Sequence, residues 1–471
     1  MTEVAPGRKT DEQDHQRRTL LATSISYVLV ILDTSIVNVA LENMSRDLGT
    51  DLTGLQWVVT AYVVVFASLV LSAGALGDMF GARKIYMIGL VLFTAASLIS
   101  GCAPSLSVLI AGRILQGIGA SLLVPSALSL IRHAYPDDTK RAKAIASWAS
   151  AGGVAQVLGP LIGGLLLAVF DWRSIFFVNV PICLGGIWLT LRIGRQTDDH
   201  GSRQLDLPGQ LSAAFAMILL IATLIEGREF GWSNSWILAA TALSVLSALS
   251  FVTVERKSKA PMLPLFLFSN PVFSWVSFAV LLGSAVFFGM LFVLNLYFLQ
   301  GAGYTPLQTG IAMLPLALLA TTGNLTSARL AHMIDPMSLM LAGGAFRLIG
   351  FAGISLASTG FSYPLIALPL LLVGLGGGLS NPMAISVMLS TTGKKYSGIT
   401  SGISTATGQL GASIGVAIFG AFLADPHRIA DGTRLAAAIS VASTALIILI
   451  VWHLRRQRDR TLVDAGEIER S

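Results

Sequence analysis

Charge is scarce in this sequence. Only 12% of its 471 residues are Asp, Glu, Lys or Arg, about half the share of an ordinary soluble domain. So few charges cannot cover a water-exposed surface, which excludes a soluble globular protein of this length. Cysteine is nearly absent too. Cys102 and Cys183 lie in or beside apolar runs without ligand spacing, which argues against a disulfide or metal framework. The sequence also lacks paired carboxylates at depth, His/Cys clusters and a phosphate-cradling loop before a helix. An enzyme reading therefore wants for parts, and no cofactor is expected. The polar N-terminal stretch has no small-residue cleavage site, so the first apolar run is expected to be retained as a span.

What is abundant is apolar sequence in long blocks. Hydrophobic residues make up 54% of the chain, and they gather into runs of roughly twenty, the length that crosses a bilayer as a helix. Lipid offers the backbone no hydrogen bonds, so such runs must be helical. Fourteen spans are expected, at 19–41, 55–76, 85–102, 106–131, 143–169, 173–193, 207–226, 233–254, 273–299, 307–330, 338–358, 364–390, 397–423 and 434–454. The basic residues then fall unevenly. Twenty-four of the 31 Lys and Arg, including every lysine, lie on one side, five lie on the other, and Arg113 and Arg347 lie within spans. The positive-inside rule places both termini in the cytoplasm. It also accounts for the pI near 9.4 without a nucleic-acid partner.

An internal repeat divides the chain. Gly117-Ile-Gly-Ala-Ser-Leu-Leu-Val-Pro125 matches Gly374-Leu-Gly-Gly-Gly-Leu-Ser-Asn-Pro382, and Gly159 and Gly163 match Gly411 and Gly415. A worn third match pairs residues 74–81 with 328–335. These put spans 2–5 opposite spans 10–13. The fold class expected is an all-α polytopic membrane protein of two pseudo-symmetric six-helix bundles plus two inserted helices. Its parts are a tail 1–18, a first half 19–193, an inserted pair 207–254, a second half 273–454 and a tail 455–471. Parallel repeats of this kind build transporters that rock around a central site.

One carboxylate stands out. Asp33 lies inside the first span, where an ionised Asp costs about 2.5–3.5 kcal/mol. Arg113, at similar depth in span 4, is its one candidate ion-pair partner in that half. Burial favours the protonated acid and Arg113 the ionised one, so a site alternating between these influences would take up and release a proton.

Four motifs resemble one known family, the fourteen-helix drug:proton antiporter branch of the major facilitator superfamily. The first is Leu32-Asp-Thr-Ser-Ile-Val-Asn-Val-Ala-Leu41, with Glu42 where the family has proline. The second is Gly74-Ala-Leu-Gly-Asp78-Met-Phe-Gly81-Ala-Arg83-Lys84, with Met79 and Ala82 at usual basic positions. The third is Arg113-Ile-Leu-Gln116-Gly-Ile-Gly119. The fourth is Ala155-Gln-Val-Leu-Gly159-Pro160-Leu-Ile-Gly163-Gly164, with Ala155 replacing the first glycine. Segments 172–181 and 300–310 are also similar to this branch. The resemblance implies proton coupling at Asp33 and Arg113. It further implies a cytoplasmic gate at Asp78, Gly81, Arg83 and Lys84, and an exporter-type kink at Gly159, Pro160, Gly163 and Gly164. The function implied is proton-coupled efflux of lipophilic drugs or antibiotics across a bacterial inner membrane by alternating access.

Asn38, Gln56, Trp57, Tyr62, Asn295 and Tyr297 are candidate cavity residues, because amide and aromatic side chains suit bulky, partly apolar solutes. Members of the family this sequence resembles that handle divalent cations carry extra membrane acids, and the second half has none at depth, so the resemblance implies monovalent cations, neutral drugs or weak anions over dications. The expected partners are a small lipophilic substrate, protons and the lipid bilayer, with an accessory periplasmic or outer-membrane component as a further candidate. Two alternatives stand beside this reading: a dedicated exporter of one metabolite or antibiotic, and a non-transporting membrane sensor.

Overall fold

The computed structural model describes residues 6–193, 206–258, 261–357, 363–392, 396–423, 425 and 428–468. The ends of both expected tails, the polar segment 194–205 and the lysines at 394 and 395 lie outside these. Among the described residues no strand is found. The helices are α1 (Pro6–Leu48), α2 (Leu52–Phe80), α3 (Ala82–Gly101), α4 (Leu106–Ala134), α5 (Asp138–Val169), α6 (Ser174–Phe177), α7 (Asn179–Leu191), α8 (Leu207–Glu226), α9 (Ser235–Lys257), α10 (Pro271–Leu296), α11 (Pro306–Leu330), α12 (Pro336–Ala357), α13 (Tyr363–Thr392), α14 (Ser397–Ala421) and α15 (Ile429–Ile468). Thirteen helices among the described residues are long and apolar enough to cross a membrane, or fourteen if the bent α5 is one span. The protein is an all-α polytopic membrane protein.

Scarce polar residues set the helix ends. Asp51, Asp137 and Asp206 accept from the backbone N–H groups of Gly54, Lys140 and Gly209 at 2.8–3.0 Å. Asn234 and Asn270 do the same for Trp236 and Val272. Each cap satisfies a donor that a helix start leaves open. Gly81, with φ of 92°, makes the turn between α2 and α3, a conformation that a Cβ would strain.

Two expected spans are not regular. The two segments of α5, 143–156 and 158–169, meet at 41°. Pro160 lacks the N–H that would bond to residue 156, and its ring crowds that carbonyl. The expected span 173–193 runs as α6 and α7, separated only by Val178, whose backbone stays helical at φ −61° and ψ −26°, and Ser174–Leu191 remains one apolar span. Pro181 cannot donate to Phe177, so α7 starts afresh with the proline in its first turn, where it is tolerated.

The chain forms two compact units. One comprises Met1–Met262 with Thr305–Ile311, and the other Leu263–Tyr304 with Ala312–Ser471. The helices of 207–254 fall within the first unit by their contacts. Trp57 on α2 donates to Glu226 of α8 at 2.6 Å. At the other end of the same contact Gln210 hydrogen-bonds Ser72 and the Ser68 carbonyl. The outer face of α9, with Trp236, Leu238, Leu243, Leu246 and Leu249, is exposed and apolar, as a lipid-facing helix should be.

Within each unit, glycines let helices meet backbone to backbone. A Cβ at Gly117 would lie 2.7 Å from the Tyr62 carbonyl oxygen, and one at Gly374 would overlap that of Leu316. Gly119 abuts the backbone of Phe93 and Gly89, as Gly376 abuts that of Arg347 and Gly343. Gly159 packs on Ser35 of α1, and Gly411 on Leu281 of α10. The two units thus use the repeated glycines for equivalent contacts. Small residues permit such close approach in a membrane, where packing rather than hydrophobic burial drives association.

Gly374→Ala is therefore expected to lower the thermal midpoint in detergent, by overpacking worth about 1–3 kcal/mol. Gly377→Ala on the same helix, where a Cβ meets nothing within 4 Å, should leave the midpoint unchanged or raise it. Differential scanning fluorimetry of both variants checks this.

A second expectation concerns the turn between α11 and α12. Partial burial pushes the Asp335 carboxyl up, but the hydrogen bond and charge of Arg458 at 2.7 Å, together with Ser338, outweigh it and hold it below the usual range. A carboxyl so lowered stabilises the fold above its unfolded value, and the contribution is lost as pH falls through the folded one. Wild type should be more stable than Asp335→Asn near neutral pH, and the difference should shrink as pH falls below about 4 and vanish only below the lowered folded value. Midpoints measured across that range test the assignment.

Candidate functional site

Among the described residues of the first unit, one ion pair is buried. The Asp33 side chain is 0% exposed and that of Arg113 1%, and Arg113 Nη1 bonds to Asp33 Oδ2. The other carboxylate oxygen accepts from Gln116 Nε2 at 3.1 Å and from Asn179 Nδ2 at 2.9 Å. Gln116 also donates to Ser97 Oγ at 2.9 Å, and its Oε1 accepts from Arg113 Nη1 at 2.9 Å. Arg113 Nε reaches the Val58 carbonyl at 3.0 Å. Its guanidinium lies over the Tyr62 ring at 4.4 Å. Five helices, α1, α2, α3, α4 and α7, supply these groups.

Each element has a local reason to present its residue. The break before α7 puts Asn179 at a helix start, where its amide turns to Asp33. Gly117 lets α4 sit against the α2 backbone at Tyr62, close enough for Arg113 to reach the carbonyl of Val58 on the preceding turn. A buried ion pair does not stabilise unless its remaining donors and acceptors are met. Both carboxylate oxygens meet this condition, and the pair is electrically neutral at depth.

The cavity candidates divide. Tyr62 joins the cluster and donates to the Val30 carbonyl at 3.4 Å. Gln56 is buried on α2. Asn38 instead bonds its own helix at Thr34, 3.0 Å away, and Trp57 turns to α8. In the second unit Asn295 donates to Leu291 at 2.7 Å. Tyr297 opens a π-helical turn, Tyr297–Gly301, and packs edge-on against Phe298 at 5.5 Å.

The motif residues have local partners as well. Arg83 donates to the carbonyls of Thr190 and Leu191 at 3.2 and 3.3 Å, satisfying the C-terminus of α7. Asp78 is half-buried and Lys84 exposed at the same turn. Gly163 packs on Ile36, and Gly164 faces Leu307, whose Cα would lie 2.7 Å from an added Cβ. Gly310, in the 305–311 segment of the first unit, abuts the Pro160 carbonyl.

Sequence reasoning did not assign Ser97 or Asn179 to this site. Asn179 stood in a noted motif, in an apolar segment ahead of a proline, and that was its only signal. Ser97 gave none.

Apolar helices enclosing a single satisfied ion pair define a multi-pass membrane protein with a charge site at depth. The family model described as Major Facilitator Superfamily matches residues 23–416, and the chain belongs to that superfamily of transporters. It is 34% identical over 434 residues to the methylenomycin A resistance protein of Bacillus subtilis (strain 168), covering 92% of this chain and 93% of that one. The methylenomycin A resistance protein of Streptomyces coelicolor is 32% identical, with 97% and 96% covered. The multidrug resistance protein Stp of Mycobacterium tuberculosis is 33% identical, with 87% and 76% covered. These relatives agree with the drug:proton antiporter branch that the motifs resemble. Among solved structures, a mutant of the peptide transporter POT in complex with sulfate aligns with a TM-score of 0.67 at 15% identity, over 93% of this chain and 95% of that one. At that identity the likeness is one of fold.

Asn179→Ala should leave one carboxylate oxygen of Asp33 short of a donor, costing about 1–3 kcal/mol, while Asn38→Ala should cost far less. Thermal midpoints of the two purified variants give the comparison.

Proposed function

We propose that this protein exports small lipophilic drugs or antibiotics across the bacterial cytoplasmic membrane in exchange for protons, by alternating access, with both termini in the cytoplasm. The carrying observation is the Asp33–Arg113 pair, buried in the first unit with both carboxylate oxygens hydrogen-bonded. Ionisable groups at membrane depth mark proton or ion pathways by default. The names of the relatives and the concentration of basic residues on one side support direction and topology.

The chemistry follows from the geometry. With Asp33 ionised, Arg113 ties α4 to α1. A proton on Asp33 removes that charge attraction. Arg113 stays cationic, but it keeps the Val58 carbonyl, the Gln116 amide oxygen and the Tyr62 ring. Protonation therefore exchanges one held arrangement for another without stranding a bare cation. Such a two-state element is what a proton must bias in order to drive transport. Substrate binding that favours the deprotonated arrangement would expel the proton.

The substrate is expected to be neutral or singly charged. Several relatives are named for a single compound, methylenomycin A or puromycin, which favours a narrow range as the second reading. The test is substrate-induced proton release from inverted vesicles over a panel of lipophilic compounds. Wild type should release protons with at least one compound, and Asp33→Asn should lose at least nine-tenths of that signal (about 1.4 kcal/mol of coupling per tenfold). Equal coupling in both would make Asp33 structural and overturn the proposal. A response to one compound alone would favour the narrow reading.

A further inference from the structure

The second unit also buries an arginine, but without an acid. Arg347 is 4% exposed and lies midway along α12. Its Nη2 donates to the Gly283 carbonyl of α10 at 2.8 Å. Nε has no partner, so most of the five guanidinium donors are unused. The nearest ring, Phe351, is 5.8 Å away. From Leu263 to Ala424 the sequence holds a single carboxylate, Asp335. That residue is engaged by Arg458 and lies twelve residues before Arg347, roughly 18 Å along a helix.

The equivalences between units sharpen the contrast. Gly376 abuts the backbone of Arg347 as Gly119 abuts that of Phe93, so an arginine occupies the place of a phenylalanine. A guanidinium remains charged even when buried, and it fits halide or carboxylate ligands. Space and a second polar group lie alongside. Gly283 carries no side chain where a Cβ would lie 3.4 Å from Nη1 and 3.8 Å from Ile447 of α15. On α15, Ile448 touches Gly344, and the Arg434 carbonyl accepts from Ser355. This antiparallel register sets Thr444 at the height of Arg347, and the buried Thr444 hydroxyl has no partner.

We propose that Arg347 anchors a buried site for a small monovalent anion, a halide or a carboxylate, between α10, α12 and α15 of the second unit. The proposal stands whether or not the export reading does. The anion supplies the counter-charge that the chain itself omits, and Thr444 adds a hydroxyl donor to it.

Purified full-length protein in detergent, buffered with a bulky sulfonate at constant ionic strength, is titrated with chloride or with acetate while the thermal midpoint is followed. Wild type should show a saturable rise. Arg347→Gln should abolish it, Arg347→Lys should retain it at weaker affinity, and Thr444→Val should weaken it by roughly 3- to 10-fold. Saturation by chloride alone identifies a free halide, and saturation by acetate alone identifies a carboxylate, such as one carried by a substrate. Either result supports the site. A wild type without a saturable response, or an Arg347→Gln variant that keeps it, overturns the proposal.

Discussion

A charge at membrane depth has to be compensated where it sits, since water cannot do it. Asp33 meets this constraint with three neighbouring helices: an ion pair to Arg113, amide donors from Gln116 and Asn179, and a Ser97 hydroxyl behind them. The arrangement of the first unit follows from bringing those groups together. Gly117 lets α4 approach α2, the break at Val178 frees Asn179, and Gly159 and Gly163 seat α5 on α1 around Ser35 and Ile36. A pair that is neutral and saturated costs little to bury, whereas either member alone would cost several kcal/mol.

The two units share their glycine contacts and differ in their charges. In the first, acid and base lie within hydrogen-bonding distance. In the second, the arginine comes from a different helix of the repeat, and among the described residues no carboxylate pairs with it. Shared packing with unshared electrostatics is what a duplicated bundle allows, because backbone contacts depend on side-chain size and leave the polar positions free.

Much of this was legible in the sequence. Hydropathy located the spans because the apolar runs are long and the few acids sit at helix starts as caps, as Asp51, Asp137 and Asp206 do. Pro160 announced the bend in α5. The pair itself could be read because Asp33 and Arg113 are too costly to leave alone. The sixth span was read correctly as one apolar segment, Ser174–Leu191, but the one-residue interruption at Val178 was not, since length and apolarity do not register the single N–H that Pro181 lacks. Ser97 and Asn179 were missed for another reason. Serine, threonine and asparagine in membrane helices commonly satisfy themselves on their own backbone, as Thr60, Ser68 and Asn38 do here. Which of them turn outward depends on helix rotation, and tertiary packing sets that. Trp57 shows the same limit, since nothing local points its indole at Glu226.

The glycine faces of α4 and α13 bear on motion as well as packing. A contact of carbonyl oxygen against Cα has no rotamers to reset, so a shift of one helix along another pays no side-chain entropy. Such a surface also has few side chains to rearrange, Val65 beside Gly117 and Phe93 beside Gly119 among them. Helices joined in this way slide as rigid rails, and any softness must come from elsewhere in the chain, such as the bend at Pro160.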